Sequence, residues 1–174
     1  MNHIRNSIFF LCSVLFLVGC GPDLIRSESH FQSEQDFGID EEAEIANTTE
    51  HLSLLQALVD YRKALVSKDF GALKQMISAR YYENGGTTDT TQDDYDHRSL
   101  ADVFELIAQH SNRIKMEITV KGVEQKGLRG HVDYEYRYAY EFEVGDKTTW
   151  DAGIELNRLE FVTEDGEWKI ISGL

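Results

Sequence analysis

The stretch from residue 131 to 144, HVDYEYRYAYEFEV, fits a single kind of local structure. Tyr134, Tyr136, Tyr138 and Tyr140 fall on every second residue, and Phe142 and Val144 continue the row. Asp133, Glu135, Arg137, Glu141 and Glu143 stand between them. A period of two sends successive side chains to opposite faces of a strand, whereas a helix would scatter the same residues around its surface. The tyrosines therefore belong on the covered face of a sheet and the charges on the outer one. Leu, Ile or Phe would serve a dry core, and each buried hydroxyl without a partner costs about 1–3 kcal/mol. Four tyrosines in alternation predict a partly wet interior, in which Tyr136 and Tyr138, at mid-strand, line a cup.

The rest of the second half keeps this period. Ile114, Met116, Ile118 and Val120 alternate with polar residues, Gln125-Lys126-Gly127 makes a turn, and the tyrosine strand runs from Leu128 to Val144. Gly145-Asp146-Lys147 turns again. Trp150, Ala152, Ile154 and Leu156 are expected to continue the inner row on the next strand. The apolar parity then changes before Leu159, which predicts a bulge. Asp165-Gly166 makes the last turn, before EWKIISGL.

Upstream of Asn112 the period is helical. Leu54, Leu58, Tyr61 and Leu65 mark one face of a helix over about 48–67. Asp69 caps a second helix that buries Phe70, Leu73, Met76 and Ile77. Ser99 and Asp102 open a third, with Leu100, Val103, Phe104, Ile107 and Ala108 at helical spacing. Three helices followed by a long antiparallel meander make residues 48–174 an α+β domain with one core.

The chain begins MNHIRNSIFFLCSVLFLVGCGPD. Arg5 precedes an apolar run from Ile8 to Val18, which is shorter than the roughly 20 residues a membrane-spanning helix needs and is read as a signal peptide over 1–19. Leu17-Val18-Gly19-Cys20 resembles the lipobox of bacterial lipoproteins, in which the cysteine thiol takes a diacylglyceryl group and the chain is cut just before it. That implies lipidation at Cys20, palmitate-type acylation, and a membrane partner through two or more acyl chains, enough for stable anchoring. Gly21 follows the cysteine where an Asp would favour inner-membrane retention, so in a Gram-negative envelope the outer membrane is expected. Cys12 leaves with the signal and Cys20 is consumed, so the folded part has no cysteine for a disulfide, metal or nucleophile. Residues 20–47 carry few apolar side chains among many acids and are expected to form a flexible tether. With a net charge of −14 and no basic patch, the chain is not expected to bind nucleic acid.

The order of elements in residues 48–174, ending in LEFVTEDGEWKIISGL, resembles the nuclear transport factor 2-like superfamily, which includes SnoaL-like cyclases, scytalone dehydratase and ketosteroid isomerase. The resemblance implies three N-terminal helices packed in a curved antiparallel sheet, a cone with an apolar cavity. The spacing of Tyr61, Asp69, Ala72 and Met76 is similar to that of the isomerase, which implies an oxyanion-donor role for Tyr61. Asn157, just before Leu159-Glu160-Phe161, falls where the isomerase has its second donor. Gly85 stands at the position of the general base, with Glu83 and Asn84 beside it. Two donors without a base polarise a carbonyl but remove no proton, which speaks against steroid isomerisation.

Each candidate also has a plainer reading. Tyr61 fits as core with its hydroxyl at the rim, and Asn157 fits as an amide capping stray backbone groups at the bulge. Asp89, Asp93, Asp94 and Asp96 could supply oxygen ligands, but Arg98 and Ser99 break the EF-hand pattern and Glu105 belongs to a helix, so no metal is expected. No nucleotide motif or catalytic triad appears, and no cofactor is expected. The candidate pocket is Tyr61, Phe104, Tyr136, Tyr138, Trp150 and Asn157, with no complete catalytic set. Three functions stay open: non-enzymatic binding of a small apolar or aromatic ligand or an envelope protein; SnoaL-like, dehydratase- or isomerase-like catalysis by Tyr61 and a base brought near by the fold; and a scaffold with a filled core. The charges on the outer face of the tyrosine strand predict a monomer or weak dimer.

Overall fold

A computed structural model describes residues 21–84 and 94–174. The elements are α1 (Ser27–His30), β1 (Phe37–Ile39), α2 (Thr49–Val66), α3 (Phe70–Met76), β2 (Tyr82–Glu83), β3 (Tyr95–Asp96), α4 (His97–His110), β4 (Ser111–Lys126), β5 (Arg129–Val144), β6 (Lys147–Glu164) and β7 (Glu167–Ser172). β4 to β7 form an antiparallel meander, and β1 adds to it in parallel at the β4 edge. This is the α+β architecture expected, with helices packed on one face of a long curved sheet.

α2 starts where Thr48 accepts a hydrogen bond from the His51 amide. Its covered face, with Leu54, Leu55, Leu58, Val59, Tyr61 and Leu65, lies against β4 and β5. Gly130 permits the closest approach, because a Cβ there would stand 2.7 Å from the Leu54 Cδ1 atom. Asp69 caps α3 by accepting from the Ala72 amide at 2.9 Å. α4 starts upstream of the expected Ser99. The Asp96 side chain accepts from the Arg98 and Ser99 amides, and the Ser99 hydroxyl accepts from the Asp96 amide. A carboxylate at Asp96 therefore wins the N-cap, and Ser99 becomes its capping-box partner.

Two expectations about the sheet are corrected. β6 contains no bulge between Leu156 and Leu159: its pairing with β5 is unbroken from Arg129–Val162 to Val144–Lys147. The irregularities lie in β4, at Ser111/Arg113 and Val120/Gly122, and between β6 and β7 at Glu160/Phe161. Because Tyr140 pairs with Asp151 and Tyr134 with Asn157, the odd-numbered residues of β6 share the tyrosine face. Trp150, Ala152, Ile154 and Leu156 therefore point outward, with Trp150 43%, Ile154 60% and Leu156 76% exposed. The Lys115 ammonium lies 5.7 Å over the Trp150 ring.

The expected tether from 21 to 47 is also corrected, because it is part of the folded body. Ile25 is 0% exposed, and Phe31, Phe37, Ala43 and Ile45 are buried in the same core. Ile25 donates its amide to the Ile45 carbonyl, and β1 runs along β4 with Phe37 opposite Ile118. From α2, the buried Arg62 guanidinium donates to the Met116 carbonyl at 2.6 Å and to the Asp36 carboxylate at 2.8 Å. Two of the segment's acids are paired as well, Glu34 with Lys63 and Asp40 with Lys121. Mean composition hid this, because a few well-spaced apolar residues reach the core while the acids face water.

Candidate functional site

The site grows from the inner face of β5 and β6. Consecutive rings of Tyr134, Tyr136, Tyr138 and Tyr140 lie at centroid separations of 5.8, 5.7 and 5.2 Å, tilted against one another. Opposite them on β6 stand Asn157, Glu155, Gly153 and Asp151. The Tyr136 hydroxyl donates to Glu155 Oε2 at 2.7 Å, and the Tyr138 hydroxyl to Glu155 Oε1 at 3.4 Å. Gly153 gives Tyr138 its place, since a Cβ there would stand 2.8 Å from the tyrosine oxygen. The row grades from core to rim: Tyr134 is fully buried, whereas Tyr136, Tyr138 and Tyr140 are half-buried.

Tyr61 on α2 faces this row. It is 8% exposed, and its hydroxyl makes no hydrogen bond among the described residues. Burial raises its pKa well above the ordinary tyrosine value, and the nearby hydroxyls of Tyr134, Tyr140, Tyr136 and Tyr81 push it further. Tyr134 and Tyr136 are likewise pushed up, first by burial. For Tyr138 and Tyr140 burial leads, and the Asp151 and Glu155 carboxylates add to it. All five phenols are thus neutral donors and acceptors at ordinary pH, and carboxylates contribute to the shift for Tyr136, Tyr138 and Tyr140.

A groove of about 420 Å³ opens beside Tyr136, lined by Glu83, Glu155, Asn157, Ser172 and Leu174 among others. The Glu83 carboxylate accepts the Ser172 hydroxyl at 2.8 Å and the Gly173 amide at 2.6 Å, so it braces the end of β7. Leu174 donates its amide to the Tyr81 hydroxyl.

Of the candidate residues, Tyr61, Tyr136, Tyr138 and Asn157 come together here. Asn157 serves as a clamp: its amide nitrogen donates to the Tyr134 oxygen at 3.1 Å and the Gly173 carbonyl at 2.8 Å. Its carbonyl accepts the Arg158 amide, so the capping reading describes it, although no bulge adjoins it. Phe104 is buried against Phe70 in the contact of α3 with α4. Trp150 is on the opposite face. Cys20, Gly85, Asp89 and Asp93 lie outside the described residues. Asp96 is spent as a helix cap, and no three metal-ligating side chains cluster among the described residues. Glu155 and Asp151 were missed, because the apolar pattern placed the wrong face of β6 inward.

No family model and no curated protein matches the sequence. Among solved structures, the chain is similar to a ketosteroid isomerase-like protein of Erwinia carotovora atroseptica, with TM-score 0.59, 15% identity, and coverage of 72% of this chain and 94% of that one. A dehydratase candidate of the NTF2-like family from Streptomyces avermitilis aligns with TM-score 0.59, 14% identity, and coverage of 72% and 95%. An NTF2-like protein of unknown function from Pseudomonas putida gives TM-score 0.57, 12% identity, and coverage of 73% and 85%. At these identities the likeness is one of fold, and the fold is the nuclear transport factor 2-like cone.

Proposed function

We propose that this NTF2-like domain is the folded part of a lipid-anchored envelope protein that holds a small apolar or aromatic ligand in its tyrosine-lined cup without transforming it. The observation that carries this reading is Tyr61: a tyrosine more than nine-tenths buried presents an unpartnered hydroxyl to a row of half-buried aromatic rings. That hydroxyl is open for a hydrogen bond, and a bound molecule would supply the partner. Among the described residues, Glu155 is the one carboxylate bonded to the row, and its two oxygens already accept the Tyr136 and Tyr138 hydroxyls, which favours binding over catalysis. Glu155 also gives the enzymatic alternative its base, in a dehydratase- or isomerase-like reaction with Tyr61 as donor.

Anchoring rests on the Leu17-Val18-Gly19-Cys20 stretch, and an outer-membrane site in a Gram-negative cell rests on Gly21. With Leu24 already bridged to Ala46, about 14 Å of extended chain separates the Cys20 lipid from the folded body, so the domain sits close to the membrane surface. The outer apolar row is one strand wide and flanked by charges, which suits a monomer or weak dimer. Native mass spectrometry of the protein taken from its source envelope tests the binding reading. A retained small molecule that is lost in Tyr61→Phe together with Tyr138→Ala is expected. A bare chain at every collision energy would refute it. Metabolic labelling with an alkyne fatty acid should mark the wild type and spare Cys20→Ser.

A further inference from the structure

Strand β6 outruns its cover on one side. β5 pairs with it from Val162 to Lys147, but on the other edge β7 reaches only Glu160 to Glu164. Beyond these, Gly173 packs on the Arg158 carbonyl, where a Cβ would stand 2.0 Å from the oxygen. From Leu156 to the turn at Gly145 and Asp146 no described strand borders this edge, and residues 147–156 are exposed except for the half-buried Gly153. The parity of the strand decides what the edge offers. Thr163 donates its amide to Leu128, on the β5 side, and the Arg158 carbonyl lies against Gly173, away from β5. Odd residues therefore bond to β5 and even ones face the opening. Trp150, Ala152, Ile154 and Leu156 present N–H and C=O groups with no backbone partner among the described residues, and their side chains form the exposed apolar row of the outer face.

An open strand edge recruits another strand unless proline, a bulge or charge blunts it. No proline or bulge interrupts residues 147–158. We propose that this edge of β6 pairs antiparallel with the same edge of a second copy, about a two-fold axis at Ala152, so that two sheets join into one. Even residues must meet even ones for the bonds to form, which leaves few registers. With the axis at Ala152, Trp150 lies opposite the partner's Ile154 and Leu156 opposite the partner's Thr148. On the other face, Asp151 meets the partner's Gly153 and Glu155 meets the partner's Thr149, so no like charges stand opposite. An axis at Asp151 would set that carboxylate against its own copy, and one at Gly153 would set Asp151 against Glu155. Axes farther along run into the turn or into Gly173. The apolar row and the acids thus select the same register. The contact is one strand edge long, so the dimer is weak and depends on concentration.

The test is cross-linking of the full chain in an uncharged detergent, with the wild type as the control for Cys12 and Cys20. In the proposed register the Ala152 Cα atoms of the two copies stand about 5.5 Å apart, within disulfide reach. Mild oxidation of Ala152→Cys should give a dimer that reductant dissolves, and Ala139→Cys, on the outer face of β5, should give none above the wild type. Ile154→Pro removes an amide that faces the opening and none that bonds to β5. Sedimentation equilibrium should show its dimer dissociation constant raised at least tenfold over the wild type. Should its thermal melt fall, Ile154→Lys must give the same rise. No dimer from Ala152→Cys, or an equal one from Ala139→Cys, would overturn the edge pairing. So would wild-type dimerisation in a folded Ile154 variant. A cross-link to a chain of different mass would overturn the assignment of the edge to a second copy.

Discussion

The two faces of the β5–β6 hairpin are built by one alternation and do different work. Inside, tyrosines of β5 meet Asp151, Gly153, Glu155 and Asn157; outside, charges of β5 meet Trp150, Ala152, Ile154 and Leu156. The inner face thus combines aromatic rings with acids from the neighbouring strand, and the outer face combines charges with apolar residues. Hydrophobicity alone would assign both strands by their greasiest row. The hydrogen-bond register overrules it for β6.

The largest effect should separate the faces by stability. Tyr134→Ala empties a fully buried site and is expected to cost about 3–5 kcal/mol in chemical denaturation. Leu156→Ala, on the outer face, should stay within about 0.5 kcal/mol. Equal costs would mean that the faces are assigned wrongly.

Next comes Arg62→Met, which leaves the Met116 carbonyl and Asp36 without their partner and should cost about 1–3 kcal/mol. Its loss should also speed amide exchange in residues 36–39, where β1 joins β4. Gly153→Ala should cost about 1 kcal/mol by displacing the Tyr138 ring, whereas Ala152→Ser beside it should be silent. A thermal melt of both variants compares the faces one residue apart.

The faces should also fail at opposite ends of the pH scale. On the inner side, burial pushes Tyr81 from its ordinary value near 10.0 up to about 12, and Tyr61 is raised in the same direction. Since the folded pKa values are raised, this stability is fully present below about pH 10 and is lost as pH climbs through the folded values. On the outer side, the Arg158 guanidinium holds the Asp133 carboxyl below its ordinary value. That contribution is present above about pH 4 and disappears as pH falls through the folded value; a half-exposed pair of this kind is worth about 0.2–1 kcal/mol. Denaturation midpoints against pH should show Asp133→Asn flattening only the acid limb. An alkaline limb unchanged by Tyr61→Phe would contradict the inner assignment.

Much of this was legible from residues alone. β5 declared its faces because Asp133, Glu135, Arg137 and Glu141 alternate with the tyrosines. β6 carries no such contrast, yet its facing was readable from the turn. With Gly145 and Asp146 between Val144 and Lys147, even positions on β5 must meet odd ones on β6, which also places Leu159 and Phe161 inward without a bulge. The segment before α2 was misjudged for a different reason. Averaged over its acids, residues 21–47 look too polar to fold, but Ile25, Phe31, Phe37 and Ile45 need only a sheet edge and one helix to bury them. The partner groups of the site, Glu155 above all, follow from that same turn register and were hidden because the apolar row of β6 was taken as its inner one.

The central claim is that the inner face of β5 and β6 holds a ligand and the outer face does not. A crystal structure of the protein purified directly from its source envelope tests this most directly. Electron density for a small molecule against Tyr136 and Tyr138, within hydrogen-bond distance of the Tyr61 hydroxyl, is the result predicted. A cup filled solid by the protein's own side chains, or a molecule seated on Trp150 instead, would contradict it.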